Sequence, residues 1–318
     1  MNAVRTTDGY VGIGKQASKG TSVVPTHFLR LSGPESMVQN QEVSEHRSLS
    51  SDQELDAIYK IGHGPDGGAP IMVRPDMGAF LLAMILGADS IAGSGPYTHT
   101  ITRANTIPWL SIDRKLTDAE RFEDCKLNQL VISGEAGNPI TMDFTFMGID
   151  CNIESAETPS YETDEPFMFF DTGSYTLDSG AITNINSFTI TINRNLSPVK
   201  TTSFKRNTLL ETGFDIEVAL RLLYEDNAKY KDILFGGSTA LTDVLDDGDL
   251  TIDLTYGSGA DLRQFKIAIP ALKHLDSSKH LDPDPKAVYL DMRSKAIKSG
   301  SEIITGTCQN SVSTAYIT

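Results

Sequence analysis

The sequence predicts a mainly β protein. Two observations carry that reading: long stretches in which apolar and polar residues alternate, and only two segments that read as helices. The clearest strand is ITMDFTFMGID, where Ile140, Met142, Phe144 and Phe146 share one face and Thr141, Asp143 and Thr145 the other. In FDIEVALRLLYED, Phe214, Ile216, Val218, Leu220 and Leu222 oppose Asp215, Glu217 and Arg221. SFTITIN sets Phe188, Ile190 and Ile192 against Ser187, Thr189, Thr191 and Asn193. Further strands are expected at 24–32, 69–74, 97–103, 107–115, 127–133, 249–256, 261–269, 286–296 and 302–309.

Helices are expected at 75–87 (PDMGAFLLAMILG) and 226–237 (DNAKYKDILFGG), each ending in the glycine that a helix C-terminus favours. They lie about 150 residues apart at comparable points in the order of elements, which indicates a tandem repeat. Each half reads as two strands, a helix and two hairpins. The acidic, proline-containing segment ESAETPSYETDEP, Glu154 to Pro166, has the composition of a connector. The organisation expected is an N-terminal arm (1–22), a first unit (23–155) and a second unit (156–318). Long polar loops are expected from Gln41 to Ala69 and from Asn193 to Gly213, available for partners.

The chain has 318 residues, 39% of them hydrophobic and 22% charged, as expected of a folded protein. No stretch approaches the roughly 18–20 apolar residues of a membrane span, and MNAVRTTDGY has no apolar signal core, so folding in a cytoplasm is expected. Cys125, Cys151 and Cys308 are odd in number and widely spaced, which predicts reduced, mostly buried thiols rather than disulfides or a zinc site. The net charge of −15 is shared, with −7 over residues 1–155 and −8 over the rest. The densest basic cluster is only Lys200, Lys205 and Arg206, so tight DNA binding is not expected.

Several stretches imitate chemical sites. GYVGIGKQ, Gly9 to Gln16, is one residue short of a phosphate loop, but Gln16 stands where Ser or Thr would hold Mg²⁺. Too few residues precede it for a buried strand, so a flexible, glycine-rich arm is expected. HLDSSKHLDPDP gathers His274, Asp276, His280, Asp282 and Asp284, yet reads better as a solvated connecting loop than as a metal site. DVLDDGDLTID lacks the closing glutamate of a calcium loop and reads as a turn opening a strand at Asp249. Trp109 is expected in the core or an interface, and His99 facing solvent or a neighbouring chain. No catalytic motif, cofactor site or metal site is expected.

Taken in order, GIGKQ with GTSVVP, GAFLLAMILG, YTHTIT with PWLSIDRKL, CKLNQLVISGEAGNPITMDFTFMGID, SFTITINRNL and FDIEVALRLLYED resemble the tail tube proteins of long-tailed, non-contractile bacteriophages. The resemblance implies a tail-tube-type β-sandwich or barrel with a flanking helix, here duplicated in tandem. It also implies a structural, non-enzymatic virion protein, assembled in the bacterial cytoplasm into stacked rings through which double-stranded DNA passes. Hexameric rings, or trimeric pseudo-hexameric rings if the chain is duplicated, would meet a tape-measure protein and terminator or tip proteins. Lumen-lining candidates are Thr141, Asp143, Thr145, Thr189, Thr191, Asp215 and Glu217, offering DNA weak repulsion and no sticky cations. Two other readings stay open: a carbohydrate-binding or hydrolytic β-sandwich with a cleft at Trp109, and another ring-forming component such as a tube terminator.

Overall fold

The computed structural model describes residues 5, 8–47, 55–171, 173–237, 239–280, 287–300 and 302–317. Along the first half run β1 (Tyr10–Lys15), β2 (His27–Phe28), β3 (Val38–His46), β4 (Ala57–Met72), α1 (Pro75–Leu86), β5 (Gly87–Ala92), β6 (Tyr97–Arg103), β7 (Leu110–Lys115), β8 (Ala119–Glu135), β9 (Thr141–Met147) and β10 (Asp150–Glu154). The second half contains β11 (Ser174–Leu177), β12 (Gly180–Ala181), β13 (Ile185–Asn193), β14 (Leu196–Val199), β15 (Thr208–Glu211), β16 (Asp215–Leu223), α2 (Ala228–Phe235), β17 (Asp247–Tyr256), β18 (Arg263–Lys279), β19 (Tyr289–Ala296) and β20 (Thr305–Asn310).

All these strands pair antiparallel, and the two halves pair in the same order. In the first, β3–β4–β9–β8 form one run; β8 continues to β7 and β10, and β7 to β1. In the second, β13–β16–β19–β18 form the run; β18 continues to β17 and β20, and β17 to β11. In each half a helix follows the second strand of its run. The halves are then fused: β8 pairs with β13, and β6 with β20. The sheet therefore passes from one half to the other without a break.

Alternation explains the core. Met142, Phe144 and Phe146 of β9, Leu130 and Ile132 of β8, Phe188, Ile190 and Ile192 of β13, and Ile216, Val218 and Leu220 of β16 are all buried on one side of the sheet. Helix α1 is apolar all round and enclosed, with every residue but Asp76 buried, whereas α2 buries only Ile233 and flanks the second half. Pro75 opens α1, where a missing N–H costs nothing, and Gly87 closes it with φ 97°, its N–H donating to the Ala83 carbonyl.

Residues from beyond the first half hold both ends of α1. The Glu162 carboxylate accepts from the backbone N–H of Asp76 (2.7 Å) and of Met77 (3.0 Å), and burial pushes it up to about 7. At the other end Arg194, only 1% exposed, donates to the carbonyls of Ile85 (2.7 Å), Leu86 and Ala104 (3.0 Å). A cation there suits the negative end of the helix dipole. Burial pushes this guanidinium down to about 10.

The structure corrects several expectations. The expected flexible arm contains β1, a buried strand paired along its length with β7. Its glycines serve close approach: a Cβ on Gly12 would meet Pro25 Cβ at 2.6 Å, and one on Gly14 the Val24 carbonyl oxygen at 2.5 Å. Gln16 is buried against the Ser111 hydroxyl, at 3.0 Å, where a phosphate loop would hold metal. The first expected loop, Gln41 to Ala69, falls largely in the β3–β4 hairpin, and the second, Asn193 to Gly213, contains the β14–β15 hairpin. His99, expected at the surface, is fully buried: Nδ1 lies 3.0 Å from Asp89 Oδ2, and Nε2 lies 3.1 Å from the Val312 carbonyl. Burial opposes its charge, but the Asp89 hydrogen bond and charge outweigh that and raise its pKa.

His274 and Asp276, expected in a solvated loop, belong to β18, and His274 is buried between Ser294 (2.7 Å) and Asp178 (3.1 Å). Asp282 and Asp284 lie outside the described residues. The acidic turn does open a strand, β17, two residues earlier than expected. The three cysteines are free; Cys125 and Cys308 are buried and Cys151 is half-buried. Among the described residues no helix is long and apolar enough to cross a membrane.

Replacing Arg194 removes three hydrogen bonds beside the end of α1, to Ile85, Leu86 and Ala104, with the Leu86 carbonyl keeping only the Ala104 N–H, each lost bond worth about 1 kcal/mol. Arg194→Ala is expected to lower unfolding free energy by about 3 kcal/mol in urea titrations; an unchanged midpoint would show that α1 does not depend on this clamp.

Candidate functional site

Because side chains alternate across a strand, register decides which residues share a face. Three cross-strand rows result. Met72, Thr141, Ser133, Thr189, Ala219 and Arg293 stand side by side across β4, β9, β8, β13, β16 and β19. Next come Pro70, Asp143, Val131, Thr191, Glu217 and Lys295, and then Gly68, Thr145, Gln129, Asn193 and Asp215. All seven residues singled out in the sequence, Thr141, Asp143, Thr145, Thr189, Thr191, Asp215 and Glu217, thus lie on one face of one continuous sheet. That face is opposite the buried Met142, Phe144, Ile190 and Val218.

The face is mixed in charge, which corrects the expectation of a surface without cations. Besides Asp143, Asp215, Glu217 and Asp291 it carries Arg221, Arg293 and Lys295. Lys295 Nζ lies 2.9 Å from Asp215 Oδ1, and Arg221 Nε lies 3.6 Å from Asp291 Oδ1. Lys295 first, then the Asn195 amide at 2.8 Å, hold the Asp215 carboxyl below the ordinary carboxylate range. Partial burial raises Asp143 instead. Arg293 and Lys295 escape sequence reasoning because KAVYLDMRSKAI offers no signal for which neighbour its polar face will meet.

The densest basic cluster of the sequence is neutralised. Lys200 pairs with Glu42, Lys205 with Asp150, and Arg206 with Asp66 at 2.6 Å, all acids of the first half. These pairs, with Lys126–Glu211 at 2.7 Å, fasten the β14–β15 hairpin onto the first half. The β3–β4 hairpin is different: Val43 and Ile58 on one face of it, Tyr59 on the other and Ile61 at its bulge are more than half exposed. Trp109 is half-buried beneath Lys126 Nζ, 4.3 Å from its ring centre. A groove of about 660 Å³ lies elsewhere, among Tyr10, Leu29, Arg30, Pro34, Arg114 and Tyr161. Among the described residues no three His, Cys, Asp or Glu side chains gather as a metal site.

The pairing of Asp215 with Lys295 has a signature in solution. Because the folded pKa of Asp215 is depressed, its stabilising contribution is present above the unfolded value and is lost as pH falls through the folded one. Lys295→Met is expected to raise the Asp215 carboxyl pKa toward the ordinary value, followed by carbon-13 NMR, while Asp143 stays where it is. An unmoved Asp215 would show that the pair does not form.

Comparison with known proteins agrees with this architecture. A search of the curated proteins finds no significant match. The family model described as phage tail tube protein matches residues 6–310, nearly the whole chain. A chain that pairs amphipathic strands into one wide sheet, and that matches this model almost from end to end, belongs to the phage tail tube protein family.

Proposed function

We propose that copies of this chain close into rings, that the rings stack into the tail tube of a long-tailed, non-contractile phage, and that the polar face described above lines the lumen. The observation that carries this reading is the continuous sheet itself, apolar and buried on one face, polar on the other, and uninterrupted across both halves. A wide sheet with unpaired ends is an association hazard for a lone molecule, but it is a building unit when neighbours cover the ends. The shared pairing order supports a tandem duplication, with units at 23–155 and 156–318. Three chains would then give a ring with sixfold pseudosymmetry, where chains of one unit each would need six. The exposed apolar side chains of the β3–β4 hairpin support contacts between copies.

In the lumen, DNA would meet the hydroxyls of Thr141, Thr145, Thr189 and Thr191 and the carboxylates of Asp143, Asp215 and Glu217. Lys295 and Arg221 are engaged by Asp215 and Asp291, so they offer phosphates less purchase than free cations would. The tube holds and conducts DNA with a low-friction wall and needs no catalytic group or cofactor. Assembly in the host cytoplasm would bring the lumen against a tape-measure protein and the tube ends against terminator and tip proteins.

Negative-stain electron microscopy of the purified protein is expected to show rings or tubes; a population of monomers would contradict the reading. The lumen assignment has its own test. Replacing Asp143→Lys and Asp215→Lys together is expected to leave tubes intact and slow DNA ejection on the order of tenfold, through added attraction for phosphate. Unchanged ejection from intact particles would place this face elsewhere.

A further inference from the structure

The junction inside the chain pairs residues 129–135 of β8 with β13, from Gln129 opposite Asn193 to Glu135 opposite Ser187. Each partner has a counterpart in the other half whose matching edge has no strand beside it among the described residues. On one side, Leu127 and Gln129 face Phe146 and Thr145 across a bulge at Asn128, while His274 and Asp276 face Ser294 and Arg293 across a bulge at Leu275. Asp276 therefore holds the place of Gln129. On the other side, Thr191 faces Glu217, two residues before Ala219, which faces Arg293. Val38 faces Asp66, two residues before Gly68, which faces Thr145. Val38 therefore holds the place of Thr191.

Resting on the ring reading above, we infer that residues 36–40 of one copy add as an antiparallel strand to residues 276–280 of a second copy, in the register of the internal junction. Asn40 then stands opposite Asp276, Gln39 opposite Ser277, Val38 opposite Ser278 and Ser36 opposite His280. The contact is head to tail, so it repeats until a ring closes, and backbone hydrogen bonds along the added strand supply its affinity.

Two observations beyond topology support this register. Gln39 Oε1 and Ser277 Oγ are both buried and find no hydrogen-bond partner among the described residues, an uncommon and costly state for polar groups. The register places these residues opposite each other, so the serine hydroxyl donates to the glutamine carbonyl oxygen across the joint. The second observation is apolar. Three residues beyond Asn193, Leu196 is 7% exposed, and its N–H donates to the Asn128 side chain at 2.9 Å. Three residues beyond Asn40, Val43 is 57% exposed, and Leu275, in the bulge position of Asn128, is 45% exposed. The joint between copies buries these two against each other where the internal joint uses a hydrogen bond.

Cysteine pairs in the full chain test the register. Directly opposite positions lie within disulfide reach, whereas a diagonal pair is about 7–8 Å apart. Val38→Cys with Ser278→Cys is expected to link copies under mild copper–phenanthroline oxidation, giving covalent multimers on non-reducing gels. Yield should be about tenfold above Val38→Cys with Asp276→Cys, with the single variants as background for the native thiols. Rings in the microscope without preferential linkage of the opposite pair would overturn the register and leave the ring reading standing. Absence of both rings and linkage would overturn the two together.

Discussion

The structure depends on one junction, the antiparallel pairing of residues 129–135 with β13. That ladder converts two sheets of the same pairing order into one. Side-chain period in a strand is two, so a slip of one residue there would turn Phe188, Ile190 and Ile192 outward and bury Thr189 and Thr191. Register is therefore enforced strongly by the core. Arg194, the residue immediately after β13, fixes it further: its guanidinium reaches the end of α1 only in the observed register.

Helix α1 is the other half of this arrangement. Enclosed by β6, β8, β18 and β20, it belongs to the core of both halves. Its two ends are held from outside the first half, by Glu162 and by Arg194. Burying a guanidinium is costly unless its donors are satisfied; here three carbonyls accept from it, and Glu211, 3.7 Å away, adds an opposite charge. The halves are thus joined by backbone pairing at the surface and by charge-assisted hydrogen bonds in the interior. The strands of that union carry Thr189 and Thr191, whose backbones lie opposite Ser133 and Val131 while their side chains stay on the polar face.

How much of this the sequence reveals depends on whether one face of an element is buried and the other is not. β9, β13 and β16 satisfy that condition and are legible residue by residue, together with the seven polar-face residues they carry. β1 is buried on both faces and β3 is largely exposed on both, so neither alternates. β4 carries Pro65, Pro70 and four glycines, which read locally as a loop although β3 and β9 pair with it throughout its length. His99 and Arg194 are misread or missed for a different reason. Their environments are made by residues distant in sequence, such as Val312 and Leu86, and no local pattern announces such partners.

Thiol accessibility in assembled tubes decides whether the face carrying Thr191 encloses the lumen, as we propose. With cysteine placed at Thr191, a small maleimide diffusing along the lumen should label intact tubes. A maleimide on a globular carrier too wide for the lumen should label dissociated chains but not the tubes. Equal labelling of tubes by the bulky reagent would put this face on the outer wall and contradict the account.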